Sequence, residues 1–191
     1  MADGRPSLTN NTAVDPRAIC NLMLDEVRPP HGITNLALQK LLYFAHGLYL
    51  VETKRPLVSG YFEAWQFGPV HPAAYRAFKQ AGDRAIEFRA TKTNPLTGSV
   101  SSIEVPTDQS VVDCIRRVIM TYGRLTPGRL VDISHARSAP WHFIVDKART
   151  NVSLGLRITD DVILDRFKFH KVSIGPEPRG GEPGEDAPFT T

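Results

Sequence analysis

Cysteine is scarce in this 191-residue sequence: only Cys20 and Cys114 occur, and no C-x-x-C spacing is present. Two isolated thiols cannot by themselves form a tetrahedral zinc site. Free cysteines within apolar helical patterns are typically buried. We therefore expect both to be small core residues, and we predict no bound metal and no cofactor.

Long apolar runs are also missing. The most apolar stretch, residues 36–51, is interrupted by Gln39, Lys40 and His46, and it is shorter than the ~20 residues that cross a bilayer. The first residues, MADGRPSLTNN, lack the apolar run of a signal peptide. The sequence therefore predicts a cytoplasmic protein with no membrane-spanning helix.

A strong charge of one sign is absent, since the formal net charge is only +3. Residues 175–191 hold four acidic side chains and one arginine, a net −3, which leaves +6 for residues 1–174. The arginines around Arg116 and Arg124 alternate with acidic residues, and no recognition-helix or aromatic stacking motif accompanies them. Nucleic acid is therefore not the expected partner, although a phage-type DNA-binding regulator stays open as an alternative.

Recognisable catalytic motifs are absent as well: there is no G-x-S-x-G, H-E-x-x-H, P-loop or G-x-G-x-x-G. His135 and His142 flank a helix break at Pro140, and a metal-dependent hydrolase built on them would need Asp132 or Asp146 as a further partner. Histidines more often cap a helix, form a hydrogen bond or lie at a surface. We predict no catalytic residues and no enzyme activity, with the His-based hydrolase kept as an alternative.

Helix signals, in contrast, are frequent. Residues 38–49 place apolar side chains on one wide face at the helical period, which predicts a central helix in which Gly47 permits close approach of a neighbouring element. Several helix starts combine an N-cap acceptor with a following proline. The predicted starts are Asp15-Pro16, Thr34, His71-Pro72, Pro106-Thr107, Thr126-Pro127, Ser138 to Trp141 and Thr159.

The fold class is therefore mainly α (α+β), a single compact domain of about seven helices around a central apolar helix. A short extended element is predicted over residues 61–67, and a β-hairpin is predicted from strands at 86–90 and 100–105. The predicted organisation is a flexible N-terminus over 1–14, one domain over 15–170, and a flexible acidic tail rich in proline and glycine over 171–191.

Aromatic side chains alternate with polar ones in residues 62–67, and the turn residues Gly68-Pro69 follow at once. An extended element that packs Phe62 or Trp65 onto the central helix explains this pattern. Alternatively, its edge and the Gly68-Pro69 turn receive a partner chain. The same two interpretations apply to Trp141.

Three sequence blocks together resemble the Panacea domain, also called the SocA-like antitoxin or phage-associated GepA-like domain. The first is I-T-N-L followed by L-Q-K-L-L-Y-F-A over residues 33–45, and the second is F-E-A-W-Q-F-G-P-V over 62–70. The third is L-V-D-I-S-H at 130–135, followed by S-A-P-W at 138–141. The resemblance covers about residues 15–170.

This resemblance implies an antitoxin that neutralises a cognate toxin by direct protein–protein binding. In the namesake branch the antitoxin also acts as an adaptor that delivers its toxin to the AAA+ protease ClpXP, so occlusion and proteolytic delivery both stay open here. Motif positions that combine polar or aromatic character with an otherwise apolar setting are the predicted partner-binding residues. They are Lys40, Tyr43, Glu63, Trp65, Gln66, Gly68, Pro69, His135 and Trp141.

Overall fold

Helices form most of the fold. The computed structural model describes residues 13–27, 32–150 and 156–170. Within these ranges there are seven α-helices and five short strands, which confirms the predicted fold class. The helices are α1 (Pro16–Glu26), α2 (Asn35–Thr53), α3 (Pro72–Phe78), α4 (Gln109–Tyr122), α5 (Pro127–Ser134), α6 (Pro140–Thr150) and α7 (Asp160–Arg166). The strands are β1 (Phe62–Trp65), β2 (Gly68–Val70), β3 (Thr91–Thr93), β4 (Val100–Ser102) and β5 (Arg157–Ile158).

Side-chain caps begin three of these helices, α1, α2 and α5, where the sequence predicts them, whereas the predicted starts at His71 and Thr159 form no side-chain cap. The Asp15 carboxylate accepts the Arg17 N–H at 2.9 Å at the start of α1. The Thr34 and Thr126 hydroxyls accept N–H groups at the starts of α2 and α5. The predicted start of α4 is too early, because Asp108, whose carboxylate accepts the N–H groups of the first turn, is the N-cap.

Helix α2 is the centre of the domain, as predicted. Its buried side chains contact α1, α3, α4, α5 and α7, and even Gln39, Lys40 and His46 are buried. Gly47 allows the Phe167 ring to pack directly on the α2 backbone, because a Cβ at this position would overlap the ring. Among the described residues, no helix is long and apolar enough to cross a bilayer.

A three-stranded antiparallel sheet covers one part of α2, in the order β2-β1-β5. Trp65 pairs with Gly68 across the β1–β2 turn, and Phe62 pairs with Ile158 in β5. Strand β5 is absent from the sequence prediction. Its two residues are held by long-range pairing with β1 rather than by a local pattern.

The predicted hairpin is present, but its first strand is shifted. Residues 86–90 do not form a strand, because the Asn21 side chain binds the backbone N–H and carbonyl of Ala90 at 2.8 and 3.0 Å. This contact holds the segment against α1. Strand β3 begins at Thr91, five residues after the predicted start, and pairs with β4 across a turn that follows Asn94.

The predicted terminal segments lie largely outside the described residues, which exclude 1–12 and 171–191. Val14 is described, and its backbone forms a parallel bridge to Val58. The Val14 N–H donates to the Leu57 carbonyl at 2.9 Å, and its carbonyl accepts the Ser59 N–H at 2.9 Å.

Candidate partner-binding site

The turn between β1 and β2 lies over a buried lysine. Lys40 is fully buried in α2, and its Nζ donates a hydrogen bond to the Pro69 carbonyl at 3.2 Å. Gly68 adopts φ +104°, a conformation that L-residues with a side chain rarely occupy. A Cβ on Gly68 would overlap Ser134 Oγ and lie 3.0 Å from Lys40 Cε. Glycine therefore lets the turn pack closely against α2 and α5.

Trp141, in the first turn of α6, holds the same turn from the side. Its Nε1 donates to the Trp65 carbonyl at 2.8 Å. The Trp65 indole packs against Tyr75, with ring centroids 4.8 Å apart, and its Nε1 donates to Glu63 Oε2 at 2.8 Å. The β1–β2 turn is thus fixed by side chains from α2, α3 and α6.

His135 lies between these elements, at the C-terminal end of α5. Its ring stacks on Trp141 with centroids 3.6 Å apart and an angle of 13° between the planes. Burial, and then the charges of Lys40 and His142, lower the pKa of His135 to about 4. The ring is therefore neutral at physiological pH. Its Nε2 is buried and forms no hydrogen bond with the described residues.

Only a small part of the β1–β2 turn and its neighbouring side chains is exposed to solvent. Gln66 is exposed at the tip of the turn, whereas Glu63, Phe67, His135 and Trp141 are half-buried around it. The result is a polar tip with half-buried aromatic rings beside it, and tryptophan is among the residues enriched in interface hot spots.

Tyr43 does not belong to this surface. It is fully buried, and its ring contacts Phe62 at 5.5 Å, Phe167 at 6.2 Å and His170 at 5.5 Å. Burial raises its pKa. Tyr43 is therefore an aromatic core residue in this structure.

Six of the nine predicted partner-binding residues contact one another around the β1–β2 turn. Two more, Glu63 and Gln66, lie beside them on β1 and on the turn itself. The six are Lys40, Trp65, Gly68, Pro69, His135 and Trp141. Two further residues of the site, Ser134 and Tyr75, are not among the predicted partner-binding residues. Ser134 stands within the third sequence block, and its small side chain opposite a glycine is the one signal that marks it.

The alternative catalytic interpretation has no metal-ligand cluster behind it in the described ranges. No three His, Cys, Asp or Glu side chains there lie close enough together to hold an ion. The arginines of the DNA-binding alternative are partly neutralised: Arg116 pairs with Glu26 at 3.1 Å, and Arg117 pairs with Glu52.

Comparison with known proteins identifies the class. The family model described as antitoxin SocA-like, Panacea domain, matches residues 38–142, which include Lys40, the β1–β2 turn, His135 and Trp141. The chain belongs to this family of SocA-like antitoxins. It is 49% identical to the antitoxin SocA of Caulobacter vibrioides (strain NA1000 / CB15N) over 185 residues, covering 96% of this chain and 98% of the relative. No solved structure matches.

Proposed function

We propose that this protein is an antitoxin that neutralises a cognate toxin by direct binding through the β1–β2 turn and the adjoining Trp141 and His135. One observation carries the site assignment: Gln66 is exposed at the tip of a turn in which Trp65 and Pro69 are buried and held by hydrogen bonds to their carbonyls. The family and the 49% identical antitoxin support the role.

A preorganised turn favours binding because little conformational entropy is lost when a partner contacts it. The Lys40–Pro69 and Trp141–Trp65 hydrogen bonds hold the backbone of the turn in the free protein. Gln66 offers an amide donor and an acceptor, and the half-buried Trp141 ring offers apolar area. The partner surface expected here is polar at its centre with an apolar recess beside it.

Lys40 and Tyr43 act in this proposal without touching the toxin. Both are fully buried, so substitutions there affect binding only by moving the surface above them. Lys40 is a positioning residue for the turn, whereas Tyr43 supports the aromatic core.

Two mechanisms follow from binding at this surface. The antitoxin either occludes the working surface of the toxin or, as an adaptor, delivers it to an AAA+ protease such as ClpXP. The resemblance to the SocA branch supports the second, which we propose as an additional step after binding. The cytoplasm is the compartment in which both take place.

The proposed function is tested by co-expression with the product of the neighbouring open reading frame. In a wild-type host, we expect the antitoxin to restore growth and to co-purify with that product. Gln66→Arg should abolish both effects, because a bulky charge replaces the amide at the tip. Gln80→Arg makes the same change at another exposed glutamine and should retain both. Full rescue and co-purification by Gln66→Arg would refute the site.

A strain without ClpXP separates the two mechanisms. Occlusion predicts unchanged rescue and an unchanged toxin level. Delivery predicts loss of rescue and accumulation of toxin, with the antitoxin–toxin complex still recovered by pull-down. Rescue that persists without the protease would contradict the adaptor mechanism and leave the binding proposal intact.

A further inference from the structure

A groove of about 470 Å³ lies between the C-terminal end of α1 and the outer face of α4. Val27, Ile119 and Met120 provide its apolar part. Met120 is 74% exposed, which leaves most of this large apolar residue open to solvent. An exposed methionine in a groove is typical of a surface that binds another segment of protein.

Two arginines line the same groove. Arg116 is held by Glu26 at 3.1 Å and remains half exposed. Arg124 is exposed and forms no hydrogen bond or ion pair with the part of the chain that the structure describes. The groove therefore suits a segment that carries acidic side chains close to one large apolar side chain.

The C-terminal sequence of this same chain has that composition. Residues 175–191 carry a net −3, and Phe189 is their only large apolar residue. Glu185 and Asp186 precede Phe189 by four and three residues. No other stretch of the sequence outside the described residues places an acidic pair beside a single aromatic residue.

The end of the described chain lies close to the groove. The His170 ring packs against Phe44 with centroids 5.7 Å apart, and Phe44 stacks on Tyr122 at 4.9 Å. Tyr122 directly precedes Gly123, which lines the groove. Phe189 follows His170 by 19 residues, a span of up to about 60 Å when extended. The distance along α4 from Gly123 to Arg116 is only about 10 Å.

We infer that the C-terminal segment of this chain docks into the α1–α4 groove. Phe189 packs on Met120, Ile119 and Val27, while Glu185 and Asp186 face Arg124 and Arg116. A linker of this length gives an effective concentration in the millimolar range. Even a contact too weak to hold a separate peptide is therefore occupied within one molecule. This inference does not rest on the proposed toxin binding, which uses a different surface.

Methyl NMR of the full chain tests the inference, since the protein has three methionines and Met120 is the one in the groove. In protein labelled at the methionine methyl groups, the Phe189 ring should shift the Met120 resonance upfield. Phe189→Ala should move that resonance back to its solvent-exposed position. Met23, which is fully buried in the core, should stay unchanged and report an intact fold.

Charge-reversal variants test the proposed ion pairs between the groove and the C-terminal segment. Arg124→Glu should produce the same displacement of the Met120 resonance, and adding Glu185→Arg should restore the wild-type position. Glu177→Arg makes the same charge change eight residues earlier and should have no effect. An unchanged Met120 resonance in Phe189→Ala would overturn the inference. A shift of the Met120 resonance that grows with protein concentration would also overturn the inference, because it would report contact between separate molecules rather than docking within one chain.

Discussion

The Trp141 indole donates a 2.8 Å hydrogen bond to the main-chain carbonyl of Trp65, across 76 residues of sequence. This bond joins the first turn of α6 to the last residue of β1. It links two of the three sequence blocks in which the chain resembles its family, and Lys40 of the remaining block binds Pro69 beside the same turn.

Trp141→Phe is expected to lower the free energy of unfolding by about 1–2 kcal/mol, because one part-buried hydrogen bond is lost while most aromatic packing is kept. Urea unfolding measures the change. Toxin affinity should fall in the same variant, since the turn is no longer held from the side. Tyr61→Phe, at an exposed aromatic next to the other end of β1, is the control and should be close to neutral. Equal stability of Trp141→Phe and wild type would contradict this role.

Gly68→Ala is expected to destabilise the protein by about 2–4 kcal/mol, from unfavourable backbone conformation and overlap with Ser134 Oγ. Adding Ser134→Ala should recover the stability lost to the steric overlap, whereas the stability lost to the unfavourable backbone conformation should stay lost. A double-mutant cycle in denaturant measures this coupling. Simple additivity of the two changes would show that Ser134 does not limit the space at Gly68.

Acidification should weaken the fold before the carboxylates titrate. Burial lowers the pKa of both His135 and His170 to about 4, whereas an unfolded histidine titrates near 6.5. Between these values the unfolded chain binds more protons, so stability is full above about pH 6.5 and falls as the pH drops toward 4. The expected slope is about 1.4 kcal/mol per pH unit for each such histidine.

Unfolding free energies measured from pH 7.5 to 4.5 check that slope. His135→Gln should remove the contribution of His135 to the pH dependence of the unfolding free energy and leave the contribution of His170. The same slope in His135→Gln and wild type would mean that His135 is protonated in the native state.

Gly47→Ala should destabilise the protein although alanine is the better helix former by about 1 kcal/mol. The added Cβ would overlap the Phe167 ring, so the ring must leave its place on α2. Thermal unfolding measures the loss, and Phe167→Leu in the same chain should recover part of it. A higher melting temperature for Gly47→Ala would show that the ring moves away at no cost.

Local chemistry explains which parts of the fold are predictable. The starts of α1, α2 and α5 are correct because an N-cap side chain and the residues it caps are adjacent in sequence. The first hairpin strand was misplaced because Asn21, 69 residues away, binds both backbone groups of Ala90. No pattern within residues 86–93 contains that information.

The difference between local sequence signals and long-range contacts also explains which site residues were predictable. Motif membership selected Lys40, Gly68 and Trp141, and the fold brings them to one turn. It also selected Tyr43, because aromatic character is shared by interface residues and core residues. Only tertiary packing separates the two, and it places Tyr43 inside.

The hydrogen bonds that hold the β1–β2 turn do not involve the side chain of Gln66 at its tip. Pro69 and Trp65 are bound through their main-chain carbonyls, and Gln66 between them is exposed. We therefore expect substitutions at position 66 to cost little in folding, and if the turn binds the toxin as proposed, recognition can diverge there in single steps. A saturation library at this codon would sample new specificities on an unchanged scaffold.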